Sequence, residues 1–579
     1  MKNRFGRLSL AILSIILFAL AASAQDLDDV TLTGRVADSN GLAIVGATVK
    51  ATLVDTGAER TVTTNDEGRF RLVELKPGLY KVTVSQTGFG TKVRNDLQTL
   101  SGQNLQIDFQ LAPADVKADA TVTVTEEDTP VVDVTRTVVG GTISEREIEE
   151  IPNNSRNPLD LVLTLGGTSE ESLSLNGLAD DRNVNNGTPP LEQGNFSLSG
   201  GTAYSNNLTI DGLDNNDDRS SRDRFQPSLE SIAEVQVITN QFSAEYGRAS
   251  GGRINLRTRA GTNRLRGRLF MFFRDDNLNA NTWYNNSRSF PRLPLTEYIP
   301  GFTLSGPVTI PFLYKGENRT FFSVAYEYTN LQDTTFIDTF VPVGSNPRYA
   351  LPTGNASCPV ASCVDANSSP ATPIGAYNAQ FSTPSLNHVF SARVDHKLTS
   401  NNDMTFGWQL GRKNNQRTNG ASTTRLDDAL QARKSDTDAY NFTDNHVFNA
   451  KAVNQFRMQY SVFEPRFQTN NPLDPVVLIG YRNPTTNGNQ TLITGNSTAA
   501  ITGDPTAFPQ NRKETRWQFQ DSLTYILGSN TLKTGFDIQN VNSKADALGD
   551  ATGTFSFANI LSFQNNTMSR YLQNFGNRS

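Results

Sequence analysis

Over much of the chain, apolar residues recur at every second position, the period of a β-strand with two unlike faces. Glu234–Ile238 and Arg253–Thr258 are short examples. The pattern sharpens just beyond them, where Gly267, Leu269, Met271 and Phe273 interleave with Arg266, Arg268, Phe270, Phe272 and Arg274. Further on, Phe302, Leu304, Val308 and Ile310 are set against Thr303 and Ser305. Phe322, Val324, Tyr326 and Tyr328 are set against Ser323, Ala325 and Glu327. Phe390, Ala392, Val394 and Leu398, then Met404, Phe406, Trp408 and Leu410, then Phe456, Met458, Tyr460 and Val462 repeat the theme. Gly528-Ser529-Asn530 separates Trp517–Tyr525 from Leu532–Ile538, and Ser400–Asp403 is another short turn. Long polar stretches, Val343–Leu386 and Asn470–Asn511, alternate with these turns. Long antiparallel strands with short turns at one end and long loops at the other suit a barrel with lipid outside and a polar lumen. A soluble β-sandwich alternates in the same way, so the period alone leaves both open.

The segment from Asp28 to Pro113 has a different texture. Short alternating runs (Val49, Ala51, Leu53; Phe70, Leu72; Tyr80, Val82, Val84) are separated by Asn40-Gly41, Asp66-Glu67-Gly68 and Lys76-Pro77-Gly78. These are turn signals at the spacing of a small β-sandwich. It carries no catalytic constellation; a spacer or interaction module and a sugar-binding module are both open. Ala114–Asp133 follows as a linker. Within it Asp119, Ala120, Thr121, Val122, Thr123, Val124 and Thr125 form a β-prone run flanked by acids and Pro130. Val and Thr favour extension, so the run suits strand addition to a partner. The alternatives are a last strand of the sandwich or an ordinary linker.

Between residues 134 and 263 the signals mix. Ser144 precedes Glu145–Ile148 as a helix cap, and Ile151-Pro152 ends that helix. Pro158–Leu163 predicts a second short helix, closed by Gly166-Gly167. Asp211–Asp218 gathers oxygen ligands and invites a calcium reading, but it lacks the spaced loop and terminal glutamate of an EF-hand. A tight turn with solvated acids is preferred. Tyr246-Gly247 and Gly251-Gly252 predict a sharp reversal with positive φ and close backbone approach.

These residues carry a family resemblance. IDGLDNND, VITNQFSAEYGRASGGRINLRTRAGTN and LFMFFRDDNLNA resemble the plug-to-barrel junction of TonB-dependent outer-membrane receptors. The subgroup is the Oar-like one, with an N-terminal carboxypeptidase regulatory-like domain of transthyretin-like (carbohydrate-binding-like) fold. The resemblance implies a mainly β protein. It would comprise a sandwich (28–113), a linker with a TonB-box-like segment (114–133, Asp119–Thr125), an α+β plug (134–263) and a transmembrane antiparallel barrel portion (264–579). It marks Asp211, Gly212, Glu234, Tyr246, Gly247, Gly251, Gly252, Arg253 and Asn255 as plug-motif residues. Arg248, Arg253, Arg257 and Arg259 are expected to face acidic lumen groups, and Glu234 and Glu245 to pair with barrel arginines. The implied partners are a TonB-type periplasmic energy-transducing protein, outer-membrane lipid and an extracellular ligand of unknown identity. The implied activity is energy-coupled uptake; the alternative is a surface adhesin or carbohydrate-binding protein without transport.

Composition narrows the field. Hydrophobic residues make up 36% of the 579, which excludes a helical membrane protein beyond the first residues but not a barrel. The net charge of -6 gives no nucleic-acid footprint. Lys2, Arg4 and Arg7 precede an apolar run and Ala22-Ser23-Ala24, a signal peptide cleaved after residue 24; an uncleaved anchor helix is the other reading. The two cysteines, Cys358 and Cys363, predict a small disulfide loop in an oxidising compartment. A metal half-site is the weaker option, since no histidine is near. His388, His396 and His446 have no ligand spacing, and no cofactor or enzyme motif stands out. Nine or ten candidate strands fall short of the 22 or so in such transporters, so an incomplete, open barrel within a longer receptor is expected.

Overall fold

In a computed structural model, the structure describes residues 28–113, 122–124, 139–153, 155–170, 196–201, 205–218, 223–240, 243–287, 289–344, 346, 351, 363–417, 426, 431–469, 475–495, 510–528, 530–546 and 552–576.

The first unit is built from β1 (Val30–Asp38), β2 (Thr48–Leu53), β3 (Ala58–Thr63), β4 (Arg69–Leu75), β5 (Gly78–Ser85), β6 (Lys92–Thr99), β7 (Asn104–Gln106) and β8 (Phe109–Leu111). One sheet runs β4-β1-β7, with β8 also on β1; the other runs β3-β2-β5-β6. Alternation along each strand sends Val30, Leu32, Val49, Ala51, Phe70, Leu72, Val82 and Val84 into one shared core. That is the expected sandwich, since two half-apolar sheets each bury one face only by stacking. The second sheet carries a further edge strand, β9 (Val122–Val124), parallel to β6 with Lys92 opposite Val122 and Arg94 opposite Val124.

The plug comprises β10 (Val139–Ile143), α1 (Glu145–Glu150), a 3-10 turn at Pro158–Thr164, the hairpin β11 (Thr168–Glu170) and β12 (Phe196–Leu198), then β13 (Asn206–Ile210), β14 (Leu213–Asp214), β15 (Ile232–Asn240) and β16 (Gly252–Thr258). Ser144 caps α1 as expected, in a reciprocal capping box with Glu147. The plug sheet has the order β10-β15-β16-β13-β14. Its core joins Ile143, Ile148, Leu159, Val162, Leu208, Val235, Val237, Ile254 and Leu256.

Beyond it come β17 (Arg266–Asp275), α2 (Trp283–Ser287), β18 (Thr296–Pro307), a small hairpin of β19 (Thr309–Ile310) and β20 (Tyr314–Lys315), and β21 (Thr320–Gln332). β22 (Thr334–Pro342), β23 (Val364–Asp365) and β24 (Thr372–Ser382) precede β25 (Ser385–Thr399), β26 (Asn402–Arg417), β27 (Gln431–Asn449) and β28 (Ala452–Thr469). β29 (Val476–Arg482) and β30 (Asn489–Gly495) lead to β31 (Gln510–Leu527) and β32 (Asn530–Asp546), followed by β33 (Thr554–Phe557), α3 (Ile560–Gln564) and β34 (Arg570–Leu572). Nine long strands form one sheet, β17-β18-β21-β25-β26-β27-β28-β31-β32. β17 pairs with β18 and β32 with β31, and the two do not pair with each other, so among the described residues the sheet is open.

Its outer face is the apolar one: Leu269 is 86% and Met271 61% exposed, whereas Arg268 turns inward to Glu230 of the plug at 2.8 Å. The strand expected from Phe302 to Ile310 divides at Pro307, and Ile310 belongs to the small hairpin. The stretches read as polar loops are more ordered than expected. The β22-β24-β23 and β30-β29-β33-β34 sheets share one core, with Phe340, Ile374, Val477, Ile479, Tyr481, Leu492, Phe557, Ile560 and Phe563 buried together. Each loop has too few apolar residues to bury alone, and only their meeting makes a core. Asp365 ties them, accepting from the backbone N–H of Arg482 (2.8 Å) and of Ile560 (3.1 Å). Cys363 is disulfide-bonded and lies in the β21–β25 connection, at the rim opposite the β25–β26 and β31–β32 turns; Cys358 is outside the described residues.

Candidate functional site at the junction of sandwich, plug and barrel

The nine-stranded sheet wraps the plug: side chains of β17, β21, β25, β28, β31 and β32 form ion pairs or hydrogen bonds with it. Three of the expected plug-motif residues converge on the sandwich instead. Asp28, at the foot of β1, pairs with Arg253 of β16 (3.0 Å) and with Arg457 of β28 (2.8 Å). Asn255 donates its side-chain amide to the same carboxylate at 3.3 Å. One buried acid therefore joins sandwich, plug and barrel wall. Burial alone would push the Asp28 carboxyl up; the Arg253 and Arg457 guanidiniums outweigh that and hold it well below the usual carboxylate range. Tyr246 lies face-on to the Arg253 guanidinium, 3.9 Å from its ring centre. Glu234 accepts from the Ser101 hydroxyl (2.6 Å) and backbone N–H (3.1 Å), and Arg257 reaches the Pro77 carbonyl at 3.3 Å. On the barrel side, Gln455 donates to Asp29 at 3.1 Å and Thr524 to Glu74.

The glycines act mainly through space. A Cβ on Gly252 would meet the Leu198 side chain at 2.6 Å and the Ile238 carbonyl at 2.7 Å, and one on Gly251 the Asn206 side chain at 2.5 Å. The expected positive φ at this reversal belongs to Arg248 (φ 59) and not to Gly247, Gly251 or Gly252. Gly212 does have positive φ (82), following Asp211 (50), in the tight turn between β13 and β14, and a Cβ there would meet Asp28 at 2.8 Å.

The acids after that turn correct the expectation of a solvated loop. Asp214 and Asp217 are buried. Asp217 pairs with Arg512 (2.6 Å), Asp214 with Arg516 (3.3 Å) and Asp218 with Arg516 (2.5 Å), both arginines belonging to β31. Arg224 of the plug returns the pairing to Glu514 of the same strand. Burial raises the Asp218 carboxyl, but Arg516, a hydrogen bond with Glu514 and Arg248 outweigh it and hold it down to about 2. Across the sheet, Arg156 of the plug pairs with Glu327 of β21 at 2.8 Å and stacks on Phe272 at 4.0 Å. A buried pair of this kind gains little net stability over an apolar pair, yet breaking it strands a charge at a cost of about 3–5 kcal/mol.

The motif arginines do meet acids, as expected, though these ion-pair partners belong to the plug and sandwich and not to the barrel wall. Arg248 pairs with Asp214 and Asp218, Arg257 with Glu234, and Arg259 with Glu145 and Glu149, all within the plug. Arg253 pairs with the sandwich. Glu245 does reach the barrel wall, at Lys533 (2.7 Å), whereas Glu234 does not. Asp28, Ser101, Arg156, Arg224 and Arg516 were not singled out from sequence as pairing residues, and Glu327 only as a polar position of an alternating strand. Nothing local marks them: Arg156 and Arg224 lie in loop sequence and Glu327 and Arg516 inside long strands. The TonB-box-like segment is paired at its centre in the manner of its alternative reading, a last strand of the sandwich, since Val122–Val124 is the β9 edge strand; Asp119–Thr121 and Thr125 lie outside the described residues.

A sandwich, an ion-paired plug and a strand wall with an apolar outer face together define a plugged outer-membrane β-barrel protein. Family models agree: outer membrane beta barrel domain over residues 257–577, TonB-dependent receptor plug domain over 142–253, and carboxypeptidase regulatory-like domain over 31–112. The chain belongs to the outer membrane β-barrel family, in its TonB-dependent receptor group with an N-terminal carboxypeptidase regulatory-like domain. Its address is the outer membrane, with the sandwich in the periplasm. A curated relative, the TonB-dependent transporter Oar of Myxococcus xanthus, is 28% identical over 258 residues, which is 44% of this chain and 22% of that protein. Among solved structures, the outer membrane transporter YddB of Escherichia coli aligns with TM-score 0.48 and 8% identity, covering 72% of this chain and 50% of that one. A ferric enterobactin receptor mutant of Pseudomonas aeruginosa aligns with TM-score 0.41 and 14% identity, covering 72% and 51%. This chain thus spans about half the length of those structures.

Proposed function

We propose that this chain serves ligand uptake across the outer membrane, coupled to a TonB-type protein through Asp119–Thr125, and that it has no enzymatic role. The observation that carries the reading is the Asp28 junction, where one acid on the sandwich holds both a plug arginine and a barrel arginine. A pull on the segment between sandwich and plug acts on two units that this junction ties to each other and to the wall. The segment itself has strand-forming character, since Val122–Val124 lies along the β6 edge of the sandwich. A partner strand adds to the outer edge of β9 or replaces β6 as its neighbour, using main-chain hydrogen bonds either way.

The test is co-purification of the detergent-solubilised full chain with the C-terminal periplasmic domain of a TonB-type protein from the same organism. Val122→Pro removes a backbone donor and is expected to lower retention roughly tenfold while migration of unheated protein on gels stays the same. Equal retention of the variant rejects Asp119–Thr125 as the coupling segment.

A further inference from the structure

The outer face of the wall changes character near the long-loop end. On β26, β27, β28 and β31, the inward positions are given by their plug contacts: Lys413 to Gln226, Thr437 to the Arg224 carbonyl, Ser461 to Arg224, and Arg512 to Asp217. The alternate positions face outward. They carry Trp408, Tyr440, Tyr460 and Trp517, which lie next to one another across the strands. On the same outward face, towards the long loops, comes a row of charges. Arg412 pairs with Asp438 (2.7 Å), Arg466 with Asp436 (2.9 Å) and Glu464 (3.0 Å), and Lys513 with Glu464 (2.5 Å).

The row sits at a definite height. Asn454 and Asp521, hydrogen-bonded at 2.9 Å, mark the polar boundary near the short turns. From Asn454 to Glu464, β28 rises about 33 Å, or about 25 Å once tilted as barrel strands are. That matches the apolar band of an outer-membrane wall, so the charged row lies at the level of the outer-leaflet headgroups.

Two features of the row are unbalanced. Lys434 stands directly opposite Arg466, and Lys513 directly opposite Lys544. Like charges facing each other across a sheet repel. No carboxylate among the described residues forms an ion pair with Lys434 or Lys544. Among its described side chains the row holds five cations (Arg412, Lys434, Arg466, Lys513, Lys544) against three acids (Asp436, Asp438, Glu464).

We propose that this row is a binding site for outer-leaflet lipids whose phosphate groups give them a net negative charge, in which phosphate oxygens bridge the Lys434–Arg466 and Lys513–Lys544 pairs and the acyl chains lie along the aromatic band below. A phosphate at each pair relieves the repulsion there and accepts charge-assisted hydrogen bonds; the two pairs lie two strand spacings, roughly 10 Å, apart. Continuity with the lipid-facing surface favours a lipid over a soluble anion.

The test uses the detergent-solubilised full chain mixed with lipid A or with phosphatidylcholine, separated by gel filtration, with bound lipid measured by mass spectrometry. Wild type is expected to retain lipid A and not phosphatidylcholine. The Lys434→Gln/Lys513→Gln/Lys544→Gln variant is expected to lose retention roughly tenfold or more. Retention equal to wild type in a variant with unchanged migration of unheated protein overturns the proposal. Should that variant not fold, Asp436→Asn/Asp438→Asn serves instead: fewer acids are expected to tighten retention, and unchanged retention overturns the proposal. Excess inorganic phosphate is expected to leave lipid A bound; complete displacement identifies a soluble-anion site and overturns the lipid assignment.

Discussion

Asp28 shows how much one carboxylate decides. It is 8% exposed and faces two guanidiniums, so its charge is needed where water is scarce. Asp28→Asn keeps the shape but leaves Arg253 and Arg457 facing a neutral amide, and is expected to weaken sandwich docking by about 3 kcal/mol. Faster protease cleavage between sandwich and plug, at unchanged sandwich melting, is the readout. The pH dependence follows from the sign of the shift. The docked carboxyl is held below its free value of 3.8, so its contribution is fully present above that value. It is lost as pH falls through the still lower docked value. Wild-type docking is therefore expected to weaken below about pH 4, with the Asp28→Asn variant lacking that component. Wild-type and variant cleavage rates that keep a constant ratio down to pH 2 would contradict the assignment.

At the scale of elements, the plug sheet depends on close approach and the barrel strands on alternation. Gly252 begins β16 where the Ile238 carbonyl of β15 and the Leu198 side chain leave no room for a methyl group. Gly252→Ala is expected to cost about 1–3 kcal/mol and to show as lower thermal stability of the plug with intact barrel strands. β17 has the opposite logic. Leu269, Met271 and Phe273 face out because the inward positions hold Arg268 and the Phe270–Phe272 pair that receives Arg156. That division was legible beforehand, since period 2 assigns faces without knowing what lies beyond them. The cap formed by β22–β24, β29, β30 and β33 was not legible. Its apolar residues are spread over loops far apart in the chain, and local polarity hid them.

For the whole molecule, the sandwich is more than a tethered appendage. Its Asp28, Asp29, Glu74 and Ser101 all engage plug or wall. Glu74→Cys combined with Thr524→Cys is expected to be joined by a short homobifunctional thiol crosslinker, seen as a mobility shift that neither single variant shows. Failure to crosslink, with the single variants present at normal levels, would mean the docked arrangement is not the resting one. The lumen pairs also differ from the usual surface kind. Arg516 and Asp214 are nearly inaccessible, so salt screens them far less than a wet lumen would.

What the sequence determined by itself was strand periodicity, the faces of each strand, the turn positions, the plug's capped helix and the family these motifs resemble. Those properties are written in residues close together in the chain. The charge pairing was decided only by the tertiary structure. The motif arginines were visible as charges, but each had several acids within reach of an unfolded chain. Arg253 chose Asp28, more than two hundred residues away, because the sandwich, the plug sheet and the wall meet at that point. Folding selects such a pair through burial, and burial is a property of the whole molecule.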